Sequence, residues 1–434
     1  MEREVAVTAP SAGASAELRD AGPGVPSALR GQAGRGGPNG TISAARPPLI
    51  RALNEQLLLE HIRTLGPCSR AELARASGLS KPTVSLALGN VERAGLVQAA
   101  GQRTGVPGRS ALLYEIRPDA GLVLGLDIGH EYVRGALADL AGEVRARSTL
   151  RARATSVRGR VAELVRLADV LCNEAGIARS AITQTVIGSP GVYDPSRNAM
   201  ALTGGLPGWD RPAALAGLRA AFGESVLIEN DVDAEALAER ELGHGRNVND
   251  FAFVHIGTGI GMGLVLGGQL RRGVHGVAGE IAFMPLSEGS GADESDARKR
   301  GELEAAAAAA AVVRAARKAG IRGPVTARRV FDAAARGDER AAAVVAGEAR
   351  LVAKAICAVI TVVDPELIVL GGGIGQAPGF ADAVSGQLRT LAPVRPVVRV
   401  SALGSDAVVD GCLAAGSDLA WKQLMAALPT GASG

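Results

Sequence analysis

The stretch Ser69 to Leu96, SRAELARASGLSKPTVSLALGNVERAGL, decides how the N-terminal part of this chain is read. Leu73, Ala74, Leu79, Val84, Leu88 and Val91 recur at three- and four-residue intervals, which predicts two short helices that each bury one face. A tight turn at Ser77-Gly78-Leu79 joins them. Ser80, Lys81, Thr83 and Ser85 crowd the start of the second helix. Ser80 suits its N-cap, and Pro82 suits the first turn, where a missing N–H costs nothing. Such a pair either reads DNA with its second helix or is an ordinary helical hairpin.

Downstream, QAAGQRTGVPGRSALLYEI reads as two strands around a glycine-rich tip, a wing attached to the helix pair. Between Ser69 and Ser110 there are six Arg or Lys against two acids, whereas from Gly121 to the end 33 basic residues face 34 acidic ones. That asymmetry places the polyanion-facing surface in the N-terminal part. Arg109, flanked by Pro107 and Gly108, is either a guanidinium that enters a minor groove or a solvated loop cation. The candidate DNA contacts are Ser69, Arg70, Ser80, Lys81, Pro82, Thr83, Ser85, Arg103 and Arg109.

At 434 residues and 47% apolar content the chain has material for two or three domains with sizeable cores. The start MEREVAVTAPSAG lacks the basic and apolar regions of a signal peptide, and no apolar run of about 18 residues occurs, so a cytoplasmic protein without a membrane segment is expected. Cys68, Cys172, Cys357 and Cys412 form no CxxC pair, which argues against a disulfide framework or zinc knuckle. Only five of the 47 basic residues are Lys, so Arg abundance reflects coding bias as readily as nucleic-acid binding. Residues 1–46 are rich in Ala, Gly, Pro and Ser and are expected to be disordered.

The body contains an internal echo. Leu122 to Val144, LVLGLDIGHEYVRGALADLAGEV, reads as strand, glycine turn, strand and hairpin; Phe251 to Gly273, FAFVHIGTGIGMGLVLGGQLRRG, repeats the plan. Helical stretches (Arg158 to Ala175, Arg211 to Phe222, Glu339 to Val363) alternate with apolar strands (Thr185 to Ile187, Ser225 to Ile228, Leu367 to Leu370). This pattern predicts an α/β body of two similar lobes with a ligand cleft between them.

The order of VLGLDIG, IGSPGVYDP, GGLPGW, VLIENDVDAEALAE, HIGTGIGMGLVLGGQLRRGVHGVAGEI and DPELIVLGGGIG resembles the ROK family of repressors, open reading frames and kinases, over roughly residues 50 to 425. The resemblance implies an actin-like, sugar-kinase-like fold behind a winged helix-turn-helix. The divisions expected are 47–118 for the winged part and 119–434 for the ROK domain, with lobe one at about 119–245, lobe two at about 246–425 and a C-terminal helix returning to lobe one. It also implies a transcriptional regulator, a repressor of carbohydrate genes, that senses a sugar or sugar derivative and forms homodimers or homotetramers on palindromic double-stranded DNA. A bifunctional sugar kinase fused to a DNA-binding domain and a regulator whose body binds a protein partner are the alternatives.

The resemblance carries an effector set onto Asn230, Asp231, Glu280 and Glu304. Asn230 and Asp231 also suit a helix cap before VDAEALAE, and the two roles are compatible. The family's ExGH motif reads Glu280-Ile281-Ala282-Phe283, with Phe283 in place of His. The three Cys of its CxCGxxGCxE segment are Ser295, Ala297 and Glu302. With no thiolate and no His, no zinc is expected, and residues 287–300 should be an untied polar loop. The Asn often found before LPGW is Gly205. The family's DxGxT phosphate turn reads Asp127-Ile128-Gly129-His130-Glu131, which places a carboxylate where a hydroxyl should meet phosphate. Kinase activity and a bound cofactor are therefore not expected.

Overall fold

The computed structural model describes residues 47–103, 111–194, 196–203, 206–286 and 294–426. The expected disordered tail (1–46), the wing tip with Arg109, Gly205 and residues 287–293 lie outside the described residues.

The winged part consists of α1 (Pro47–Leu65), β1 (Cys68–Ser69), α2 (Arg70–Ser77), α3 (Lys81–Arg93), β2 (Val97–Arg103) and β3 (Ala111–Ile116). Both helices of the pair start on side-chain caps. The Ser69 hydroxyl accepts the Glu72 N–H while the Glu72 carboxylate accepts the Ser69 N–H, a reciprocal box. Ser80 accepts from the Thr83 N–H, and Pro82 sits in the first turn of α3. Gly78, at φ +69°, ends α2 in the left-handed region and sets the turn. Leu73, Val84, Leu88 and Val91 pack with Leu58, Leu59 and Ile62 of α1. β3 lies between β1 and β2, antiparallel to both, with an irregularity between Ala99 and Gly101.

Lobe one follows with β4 (Leu122–Ile128), β5 (Tyr132–Asp139), β6 (Val144–Arg151), α4 (Val157–Ala175), β7 (Ile182–Ser189), β8 (Val192–Asp194), β9 (Ala199–Ala201), α5 (Pro212–Phe222), β10 (Leu227–Asn230) and α6 (Asp231–Leu242). Lobe two comprises β11 (Phe251–Ile256), β12 (Ile260–Leu266), β13 (Gln269–Leu270), α7 (Glu294–Arg300), α8 (Glu302–Ala307), α9 (Ala309–Lys318), α10 (Ala327–Ala335), α11 (Glu339–Val363), β14 (Leu367–Gly371), α12 (Gly372–Gly375), α13 (Phe380–Leu391) and β15 (Val397–Val400). The last element is α14 (Ala407–Ala426).

The internal echo extends to topology. The lobe-one sheet has the order β10-β7-β4-β5-β6 and the lobe-two sheet β15-β14-β11-β12-β13. In each, an antiparallel three-strand meander is extended on one side by two parallel strands. Parallel neighbours need crossover helices, which is why α4 and α11 lie where the sequence predicts them.

α14 packs on lobe one, against β4 and β7, and along α6. The approach is close: a Cβ built on Gly411 would lie 1.8 Å from the Ala234 carbonyl oxygen, so only glycine fits. At its other end Trp421 and Ala420 join the cluster that holds Leu58, Leu59, Ile62 and Tyr114 together with Val123 and Ala136 of lobe one. One apolar core therefore runs from the winged part into the body.

Candidate DNA-facing helix and interlobe cleft

On α3, Ser80, Lys81, Pro82 and Ser85 are exposed together at the helix start, and Thr83 is half-buried with its hydroxyl 2.8 Å from that of Ser80. The positive end of the helix dipole and a lysine thus share one face. Leu86, 56% exposed, extends the same face with an apolar group. Ser69 is buried and serves as the α2 cap. Arg70 lies over the Tyr114 ring at 5.1 Å and donates to its hydroxyl at 2.5 Å. Arg103 meets Glu72 at 2.5 Å. The Ser69 N–H and hydroxyl, with Arg103 beside them, pull the Glu72 carboxyl down to about 2. Arg70 and Arg103 are therefore oriented by partners within the winged fold, while Lys81 projects freely from its helix.

The candidate effector site lies where β10 gives way to α6. Asn230 is the α6 N-cap: its Oδ1 accepts the N–H groups of Val232 at 2.9 Å and Asp233 at 3.0 Å, and its Nδ2 donates to the Gly191 carbonyl at 3.0 Å. Asp231 accepts the Val232 N–H at 2.9 Å through Oδ1. Burial and the neighbouring Glu235 push the Asp231 carboxyl up to about 6, partly opposed by His255. One turn further along α6, Glu235 Oε2 sits 2.7 Å from His255 Nδ1 on β11. Asp127, at the end of β4, is paired with Arg134 at 3.3 Å, yet burial and Asp231 raise its carboxyl to about 7.

Glu280 and Glu304 approach from lobe two. Burial raises the Glu280 carboxyl to about 7, with Asp231 and Glu304 adding to the rise. Glu304 accepts the Ile260 N–H at 2.8 Å and Arg300 Nε at 2.6 Å, while Arg300 also donates to the Thr258 carbonyl at 2.8 Å. Asp231 and Glu304 are thus both close enough to act on Glu280. Carboxyls titrating near neutrality are donors when protonated and acceptors when ionised, the inventory that hydrogen-bonds a ligand rich in hydroxyls.

One feature differs from simple expectation. Residues 294–300, expected within an untied loop, form α7, because Arg300 anchors the segment to Glu304 and Thr258. Phe283, in the position of the family's His, is 44% exposed in a 3-10 turn, and Glu302 accepts the Leu286 N–H at 3.0 Å. Among the described residues no group of three His, Cys, Asp or Glu is arranged to hold a metal ion. On the phosphate side, the Gly257-Thr258-Gly259 turn abuts Gly371-Gly372-Gly373. A Cβ on Gly257 would lie 3.8 Å from the Gly373 nitrogen, and Gly372, at φ +76°, has no room beside the Ile256 carbonyl.

His255, Glu235 and Arg300 escape the motif-based reading. Glu235 and Arg300 each carry a signal: Glu235 lies four residues after Asp231 on a predicted helix and so shares its face, and Arg300 lies four residues before Glu304. His255 reaches the site through pairing across elements, which spacing does not encode.

A profile described as the ROK family matches residues 123–415. The xylose repressor of Bacillus spizizenii is 27% identical over 245 residues, 56% of this chain and 63% of that protein, so the chain spans less than two thirds of that relative. A ROK hexokinase from Thermus thermophilus superposes with a TM-score of 0.59 at 30% identity, covering 68% of this chain and 97% of that one. A ROK-family transcriptional regulator described as a homologue of the E. coli MLC protein superposes with a TM-score of 0.72 at 24% identity, over 87% of this chain and 98% of that one, and shares the fold. No helix among the described residues is long and apolar enough to cross a membrane. With the profile spanning two lobes of repeated topology, the chain belongs to the ROK family.

Proposed function

We propose that this protein is a DNA-binding transcriptional regulator, a repressor of carbohydrate genes, whose ROK domain senses a sugar or sugar derivative. The observation that carries the reading is the exposed polar start of α3, with Lys81 at its tip, on a winged helix whose core continues into the body. Similarity to a xylose repressor supports it. Lys81, Ser80, Pro82, Thr83 and Ser85 contact the major groove, with Arg70, Arg103 and Arg109 as flanking contacts; Ser69, expected among them, is buried as the α2 cap and does not reach DNA. Two copies, as a dimer or tetramer, place two such helices on a palindromic operator.

Asn230, Asp231, Glu280 and Glu304 hold the effector. A sugar that bridges the lobes favours one lobe arrangement, and it shifts DNA affinity only through its differential affinity for the two. No phosphoryl transfer is expected, because Glu131 stands where a hydroxyl would meet the phosphate and a carboxylate repels it. The test is operator binding by the full-length chain, titrated with xylose, glucose and related sugars, beside an assay for ATP turnover with the same sugars. Specific DNA binding relieved by a sugar without turnover supports the reading; sugar-dependent ATP consumption supports a bifunctional kinase instead.

A further inference from the structure

One side chain touches both the winged part and the helix that starts at the cleft. Asp418, on α14, lies 3.7 Å from Arg63 of α1 through Oδ1 and 3.5 Å from Arg240 of α6 through Oδ2. α6 begins at Asp231, caps on Asn230 and ends two residues past Arg240, so its first turn is in the cleft and its last turn is at this junction. α1 contributes Leu58, Leu59 and Ile62 to the core that seats α3.

Packing makes α14 a stiff link between those places. Near its start, Gly411 lies against the Ala234 backbone, and the Cys412 thiol faces the Leu126 carbonyl at 3.6 Å in β4. Near its end, Trp421 is 5% exposed inside the cluster shared with α1. The continuous helix Ala407–Ala426 joins the two ends, and a packed rod shifts as a unit rather than deforming.

We infer that α14 transmits the state of the cleft to the winged helix, with Asp418 as the positioning residue that holds the last turn of α6 and α1 to the same helix. The inference rests on the DNA-binding reading above and adds the route. Exposed ion pairs contribute little to stability, so replacing Asp418 should leave the fold intact and isolate its effect on relative position.

Linkage is reciprocal: if the cleft biases DNA binding, bound DNA biases the cleft in return, and by this route that bias passes through α6. The test is amide hydrogen exchange of the full-length protein with and without a duplex recovered by selection from random sequence. Bound duplex should change exchange across residues 231–242 by about twofold or more, far from the DNA. In Asp418→Asn and in Arg240→Gln that remote change should fall by at least about half while duplex affinity stays within about threefold. An undiminished change in both variants, or no change at 231–242 in a wild-type protein that binds the duplex, overturns the route. Failure to bind any duplex would instead remove the DNA-binding reading, and the proposal with it.

Discussion

His255 Nδ1 lies 2.7 Å from Glu235 Oε2, so a strand of lobe two is tied to the helix that carries Asp231. Burial opposes a charge on this imidazole, but Glu235, as counter-charge and hydrogen-bond partner, outweighs it with help from Asp231 and Glu304. The His255 pKa is held up to about 9, against an ordinary value of 6.5. The folded state therefore keeps a proton that the unfolded chain releases. The stability contributed is complete below pH 6.5 and is lost as pH rises through about 9.

Thermal stability should accordingly fall across that window, and Glu235→Gln should flatten the loss by removing the counter-charge. Asp127, Asp231 and Glu280, also raised, have the same sign at lower pH: their contribution is present below the usual carboxylate range and fades through about 6 to 7. Melting temperatures of wild type and variant from pH 5 to about 9 check this. An equal slope in both proteins between pH 6.5 and 9 would remove the pair from the account.

Asp231→Asn is expected to preserve fold and DNA binding while weakening the response to effector. The amide replaces a dual acceptor by a mixed donor and acceptor, and one charge-assisted hydrogen bond is worth about 1.5 to 3 kcal/mol. The effector concentration for DNA release should rise roughly 10- to 150-fold. Asn230 already caps α6, so the substitution leaves the cap intact and isolates the ligand contact. An unshifted release curve would retire Asp231 as an effector contact.

Lys81 is the exposed cation at the start of α3. Its replacement by Ala should weaken DNA binding at every sequence and lower the salt slope by about 1, as expected for one lost phosphate contact. Affinity measured at several salt concentrations reads both. Identical affinity and slope in wild type and variant would place Lys81 outside the interface.

Protein purified without chelator should contain well under one zinc per chain, as Phe283, Ser295, Ala297 and Glu302 stand at the family's ligand positions. Metal analysis after dialysis checks this. A retained stoichiometric zinc would contradict it.

Local signals made much of the fold legible. Ser80 and Pro82 marked the start of α3, Gly78 its preceding turn, and periodic apolar residues the long helices, because caps and periodicity act within a few residues. The repeated glycine turns pointed to two lobes, although their shared strand order emerges only once crossovers are seen. α7 is hidden because ESDARKR has no apolar stripe; Arg300 holds it through a pair with Glu304 one turn on and a tertiary bond to the Thr258 carbonyl. The cleft was half visible for the same reason. Asn230, Asp231 and Glu280 sit in motifs, whereas His255, which opposes the rise at Asp231, and Arg134, which opposes it at Asp127, come from other strands.

The central claim, sequence-specific DNA binding by a symmetric assembly, is tested most directly by selecting duplexes from random sequence with the full-length protein and footprinting the winner. The account predicts a two-fold symmetric site whose half-sites lie one or more helical turns apart, about 34 to 36 Å per turn. Failure to enrich any sequence, or a footprint without a dyad from a confirmed dimer, would contradict it.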